Sequence, residues 1–109
     1  MSALLALVLA TSGLHGVVTR GPTQPVCQVG VPCSKPAVGA VLVFSRNGTV
    51  AARVRTGTGG RYAVRLQPGD YTVRTAPTPK IGSGLRPRRV HVLAGVLGRA
   101  NFLIDTGIR

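Results

Sequence analysis

Apolar and polar residues alternate with period two through the middle of the chain, as in strands with one buried and one solvated face. In "TVAARVRT", residues 49–56, Val50, Ala52 and Val54 fall on one side and Ala51, Arg53 and Arg55 on the other. In "RYAVRL", residues 61–66, Tyr62, Val64 and Leu66 are predicted to point inward and Arg61, Ala63 and Arg65 outward. "YTVRT", residues 71–75, repeats the rule with Tyr71 and Val73 inward and Thr72 and Arg74 outward. "GAVLVFS", residues 39–45, is almost continuously apolar and predicts a strand covered on both faces. "GVVTRGP" at 16–22, "RRVHVLA" at 88–94 and "GRANFLID" at 98–105 complete seven strands.

Turn chemistry separates them. Asn47-Gly48 is the strongest short hairpin signal, because both central residues of such a turn need positive φ. "QPGD" at 67–70 reads as a turn and "AGVLG" at 94–98 as a bend. Two stretches carry no period: the proline-rich segment 23–37, which holds both cysteines, and 76–87, with three prolines. Short strands at this spacing indicate a single antiparallel β-sandwich or barrel. Composition points the same way, with fifteen glycines, eight prolines and only four aromatics among 109 residues. A chain this short makes one domain with a thin core.

The first residues differ from the rest. "MSALLALVLATSGLHG" is uncharged and contains an apolar run from Ala3 to Ala10, too short to span a membrane but of the length found at the centre of a secretory signal. Residues 1–15 are therefore expected to form a signal-like leader and 16–109 the domain, with cleavage positions offered by Ala10, Ser12, Gly13 and Gly16. No membrane span is expected once the leader is removed. The cysteines support export: Cys27 and Cys33, in "CQVGVPC", suit a small disulfide-closed loop in an oxidising compartment. Free thiols are the alternative. The spacing is not that of a CxxC dithiol, and a tetrahedral zinc lacks nearby ligands.

The run of Gly60, Arg61 and Tyr62, followed four residues later by Gln67, Pro68, Gly69, Asp70 and Tyr71, resembles the carboxypeptidase regulatory-like domain. The resemblance extends over roughly residues 16–104. It implies a transthyretin-like, Greek-key sandwich of seven strands, in which Gly60 opens a strand, Tyr62 and Tyr71 fill the core and Pro68-Gly69 makes a turn. The cysteine-bearing loop and the closing "IDTGIR" also resemble small exported bacterial versions of this domain. Where such domains often carry an acidic turn residue before the glycine, this chain has Thr58 and Gly59, which argues against a turn-bound cation. The resemblance implies a fold and is almost silent on function.

Catalytic chemistry finds little support. The only acids are Asp70, in a turn, and Asp105, near the end, so paired-carboxylate catalysis has no components. His91 lies at an outward strand position with no nucleophile motif beside it, and His15 falls in the leader. "GTGG" at 57–60 lies between strands and not ahead of a helix, so no phosphate loop exists. The chain is read as a non-enzyme without metal or cofactor.

Charge is the remaining signal. Fourteen basic residues, twelve of them Arg, stand against two acids, for a net charge of +12. If strands 49–56 and 61–66 pair as a hairpin, Arg53, Arg55, Arg61 and Arg65 emerge on one face, joined by Arg74 if its strand is adjacent. Like charges directly opposite one another destabilise a sheet. Their presence without interleaved acids argues for an anionic partner, such as a cell-surface polymer. Nucleic acid is the weaker candidate, because the aromatics needed for base stacking point inward. The competing reading is that charge on an edge hairpin blocks aggregation. The function expected is an exported, non-enzymatic accessory or structural module. The alternative is a protein-interaction module using a sheet edge or the loop 76–87.

Overall fold

A computed structural model of the protein describes residues 12–30, 32–76 and 84–106. The apolar run Ala3–Ala10 and residues 77–83 of the loop 76–87 lie outside the described residues. Ten strands follow in chain order: β1 (Gly13–Gly21), β2 (Lys35–Pro36), β3 (Val41–Arg46), β4 (Thr49–Arg55), β5 (Arg61–Arg65), β6 (Gly69–Ala76), β7 (Gly84–Arg86), β8 (Arg89–Val92), β9 (Leu97–Arg99) and β10 (Phe102–Asp105). A 3₁₀ turn, Thr58–Gly60, precedes β5.

The strands form two sheets. One runs β4-β3-β6-β8 and is antiparallel throughout. Its β3–β4 hairpin is closed by Asn47 and Gly48 with φ of 52° and 79°, the geometry the Asn-Gly pair predicts. The other sheet is organised around β1, which pairs antiparallel with β5 and β2 along one side. Along its other side β1 runs parallel to β9 and β10, and β7 lies beyond β10. The expectation of a purely antiparallel fold is thus corrected: after β8 the chain crosses sheets and returns alongside its own first strand.

Four further expectations change. β1 begins at Gly13 instead of 16, so Ser12 to His15, expected in the leader, belong to the fold, and Leu14 is a core residue. β2 and β7 arise in stretches without period, held only by pairing with β1 and β10. The expected strand 98–105 is two strands, interrupted at Ala100 and Asn101. Finally, β4 and β5 do not form a hairpin, because β4 pairs with β3 and β5 with β1.

The core lies between the sheets. Leu42, Phe44, Tyr71, Val73 and Val92 come from one, and Leu14, Val18, Tyr62, Phe102 and Ile104 from the other. The Phe44 ring bridges the layers, with centroids 6.3 Å from both Tyr62 and Phe102. Each such side chain contributes about 1.5–3 kcal/mol through burial. Leu42, Val43 and Phe44 are all fully buried, as the unbroken apolar run of β3 predicts.

The segment connecting the sheets is fixed by hydrogen bonds. The buried Thr56 hydroxyl donates to the Ala37 carbonyl and accepts from the Ala40 N–H. Gly60 then enters β5 at φ 75°, so close to β1 that a Cβ would lie 2.3 Å from the Val18 carbonyl oxygen. Only glycine fits there. At the next turn the Tyr71 hydroxyl donates to the Gln67 carbonyl at 2.6 Å, and the Arg46 guanidinium lies 5.8 Å from the Tyr71 ring centroid. Cys27 and Cys33 stand at disulfide distance, with Cα atoms 5.5 Å apart, in an exposed loop tied down by the Thr23 N–H to the Cys33 carbonyl.

Candidate anion-docking face

Strand register decides which arginines share a surface. In β3, Leu42 and Phe44 face the core, so Val41, Val43 and Ser45 face outward. Arg53 lies directly opposite Val43 on one flank, and Arg74 lies opposite the same Val43 on the other. Arg55 is opposite Val41. Arg89 of β8 joins this face through its pairing with Thr72. The outer surface of the four-stranded sheet therefore carries Arg53, Arg55, Arg74 and Arg89.

No two of these arginines are direct cross-strand partners. Arg53 and Arg74 are two strands apart, about 10 Å at the backbone, with Val43 between them. This spacing removes the like-charge penalty that a direct pairing would carry. It also explains how Val43 is fully buried on an outward face: the aliphatic stems on either side cover it while the guanidinium groups reach water.

Arg61 and Arg65 are not part of this surface. They lie on β5, opposite Val17 and Gly13 of β1, in the other sheet. Arg99 and His15 are their neighbours there, since His15 pairs with Arg99 on one side and Ala63 on the other. The five arginines singled out by alternation thus divide three to two between the two sheets. Val50 also departs from expectation: a bulge between Phe44 and Ser45 sets it opposite Ser45, outward and 42% exposed.

The electrostatics of the face follow from a shortage of acid. The sequence holds two acidic side chains: Asp70 lies on this face, on the same side of β6 as Thr72 and Arg74 and opposite His91, and Asp105 lies in the other sheet. Asp70 lies 2.7 Å from His91 Nδ1, and Asp105 lies 3.6 Å from the Arg86 guanidinium. Arg55 donates to the Gly39 carbonyl at 3.1 Å, whereas Arg53, Arg74 and Arg89 make no ion pair among the described residues. Beside Arg89, the residues Ser45, Asn47, Thr72 and His91 line a shallow concavity with donor and acceptor groups, and Asp70 lines it too.

Aromatic stacking platforms are missing from the face, because Phe44, Tyr62, Tyr71 and Phe102 are all buried. Among the described residues no three His, Cys, Asp or Glu side chains gather where they could hold a metal ion. No helix of the described residues is long and apolar enough to cross a membrane. Sequence reasoning missed Arg89 because "RRV" fixes only its side of the strand, and its partner Thr72 is known only from the register. Comparison of the chain with models of known protein families finds no match, and comparison with curated proteins finds none.

Proposed function

We propose that this chain is an exported, non-enzymatic β-sandwich module that docks on anionic cell-surface polymers through the outer face of β4-β3-β6-β8. The observation that carries the reading is the presence on one sheet face of three guanidinium groups, Arg53, Arg74 and Arg89, that make no ion pair among the described residues, while the acid on that face, Asp70, lies against His91. A repeating polyanion supplies the counter-charge at several points together, and the lack of exposed aromatics favours it over single-stranded nucleic acid. For the fold, the reading keeps the resemblance to carboxypeptidase regulatory-like, transthyretin-like Greek-key domains; the close approach of Gly60 to β1 and the burial of Tyr62 and Tyr71 support it.

Export is part of the proposal. Among the candidate cleavage positions, cutting after Ala10 leaves β1 whole. Cutting after Ser12 or beyond removes the Ser12 contacts, in which its carbonyl accepts from Leu66 N–H and its hydroxyl from Gly95 N–H at 2.8 Å. Titration with heparin as a polyanion probe, at two salt concentrations, tests the docking reading: binding weakens steeply with salt if exposed arginines carry it.

A second reading, protein interaction through a sheet edge, is favoured by the seven-residue strand β4, which ends the four-stranded sheet with one side unpaired. Capture of one specific protein at high salt is its sign.

A further inference from the structure

The interior end of the sandwich contains a second feature, separate from the outer face. Arg20 lies on β1 opposite Ile104, on the side of the strand that carries Leu14 and Val18. Its half-buried side chain therefore projects between the sheets. From the facing sheet, Thr75 lies opposite Leu42 and also points inward. Thr75 is 6% exposed and its hydroxyl has no hydrogen-bond partner. Arg20 makes no ion pair among the described residues. Both residues line one cavity of about 420 Å³, with Ala40 and Ile104 among its apolar walls.

A buried hydroxyl without a partner costs stability, and natural folds leave few of them. A guanidinium drawn between two sheets likewise loses hydration without gaining a counter-ion. The two groups share one requirement, an oxygen anion placed between them: Arg20 supplies charge and paired N–H donors, and Thr75 supplies one O–H donor. The apolar walls require an aliphatic remainder. Asp105 and Thr106 also line the cavity. The Asp105 carboxylate, 3.6 Å from Arg86, lies on the opposite side of β10 from Ile104, and negative charge this near the site disfavours a dianion.

We propose that this cavity binds the carboxylate of a short aliphatic monocarboxylic acid, with the carboxylate between Arg20 and Thr75 and the chain against Ala40 and Ile104. The volume lies within the range of small-molecule sites. The site uses none of Arg53, Arg74 and Arg89, so either proposal can fail alone.

The test is a titration of the isotope-labelled full chain with hexanoate, followed by NMR. Saturable shifts are expected at Thr75, Ala76 and the Ile104 methyl groups, with a Kd of about 1 mM or tighter. Arg20→Gln should weaken binding about tenfold, and Thr75→Val about threefold or more. Thr75→Val should also melt no lower than the native chain, which separates loss of the site from loss of the fold. The proposal is overturned if hexanoate produces no saturable shift at these residues. It is equally overturned if Arg20→Gln binds unchanged, or if neutral hexanol or inorganic phosphate binds as well as hexanoate.

Discussion

The Tyr62 hydroxyl donates a 2.5 Å hydrogen bond to the Ala100 carbonyl oxygen, joining β5 to the break between β9 and β10. Gly16 of β1 pairs with Tyr62 and lies between them. A Cβ there would come within 2.2 Å of the same Ala100 oxygen. On the next residue, Asn101 Oδ1 accepts the Val17 N–H at 3.0 Å, satisfying the strand where β9 leaves it. Three elements of the sheet are thus fastened at one point.

Tyr62→Phe removes this bond and should cost about 1–1.5 kcal/mol at neutral pH, measured by urea unfolding. Burial also pushes the Tyr62 phenol above its ordinary range. A pKa raised by folding gives stability that is complete below the unfolded value, about 10, and is lost as pH rises beyond it. Native stability should therefore fall more steeply above about pH 10 than that of Tyr62→Phe. Parallel alkaline slopes would show that the phenol is not held neutral by the fold.

Glycine substitutions should separate conformation from contact. Gly60→Ala meets both a φ of 75° and the Val18 oxygen at 2.3 Å, whereas at Gly48, with φ 79°, nothing lies within 4 Å of the added Cβ. Gly48→Ala should cost about 1 kcal/mol and Gly60→Ala at least twice that, or abolish folding. Equal losses at the two sites would refute the close approach of Gly60 to β1.

Replacing Cys27 and Cys33 with Ser should destabilise the domain by about 2 kcal/mol, the chain-entropy value for so short a loop. The native chain should not react with a thiol reagent after denaturation unless first reduced. Ready labelling without reductant would contradict the disulfide.

If the chain is exported as proposed, its mature form should begin at Thr11, because cleavage after Ala10 is the one that spares Ser12 and β1. Intact-mass measurement of the exported chain checks this. A start at Gly16 or later would delete the half of β1 that pairs with β5 and β9 and would contradict the structure.

Alternation revealed which residues share a side of a strand, but not which strands share a sheet. Tyr62, Leu66, Tyr71 and Val73 are buried as their pattern predicts, because each strand has one wet face. The assignment of β4 and β5 to different sheets depends on long-range pairing, which a local period cannot encode, and so Arg61 and Arg65 separated from Arg53 and Arg74. The two-residue β2 and three-residue β7 are too short to display a period at all. Ahead of β1 the apolar run from Ala3 to Ala10 and the strand follow one another without a turn signal, which hid where the strand begins. The bulge in the β3–β4 ladder shifted Val50 by a single residue, enough to reverse its face.

The most direct test of the docking face compares two triple variants on immobilised heparin along a salt gradient. Arg53→Gln/Arg74→Gln/Arg89→Gln alters the four-stranded sheet, and Arg61→Gln/Arg65→Gln/Arg99→Gln alters the other. Both remove three charges from a net +12, so non-specific attraction falls equally. The first variant should elute at markedly lower salt than the native chain, and the second close to it. Equal losses in both, or native retention of the first, would contradict docking through the face that Val43 and its flanking arginines form.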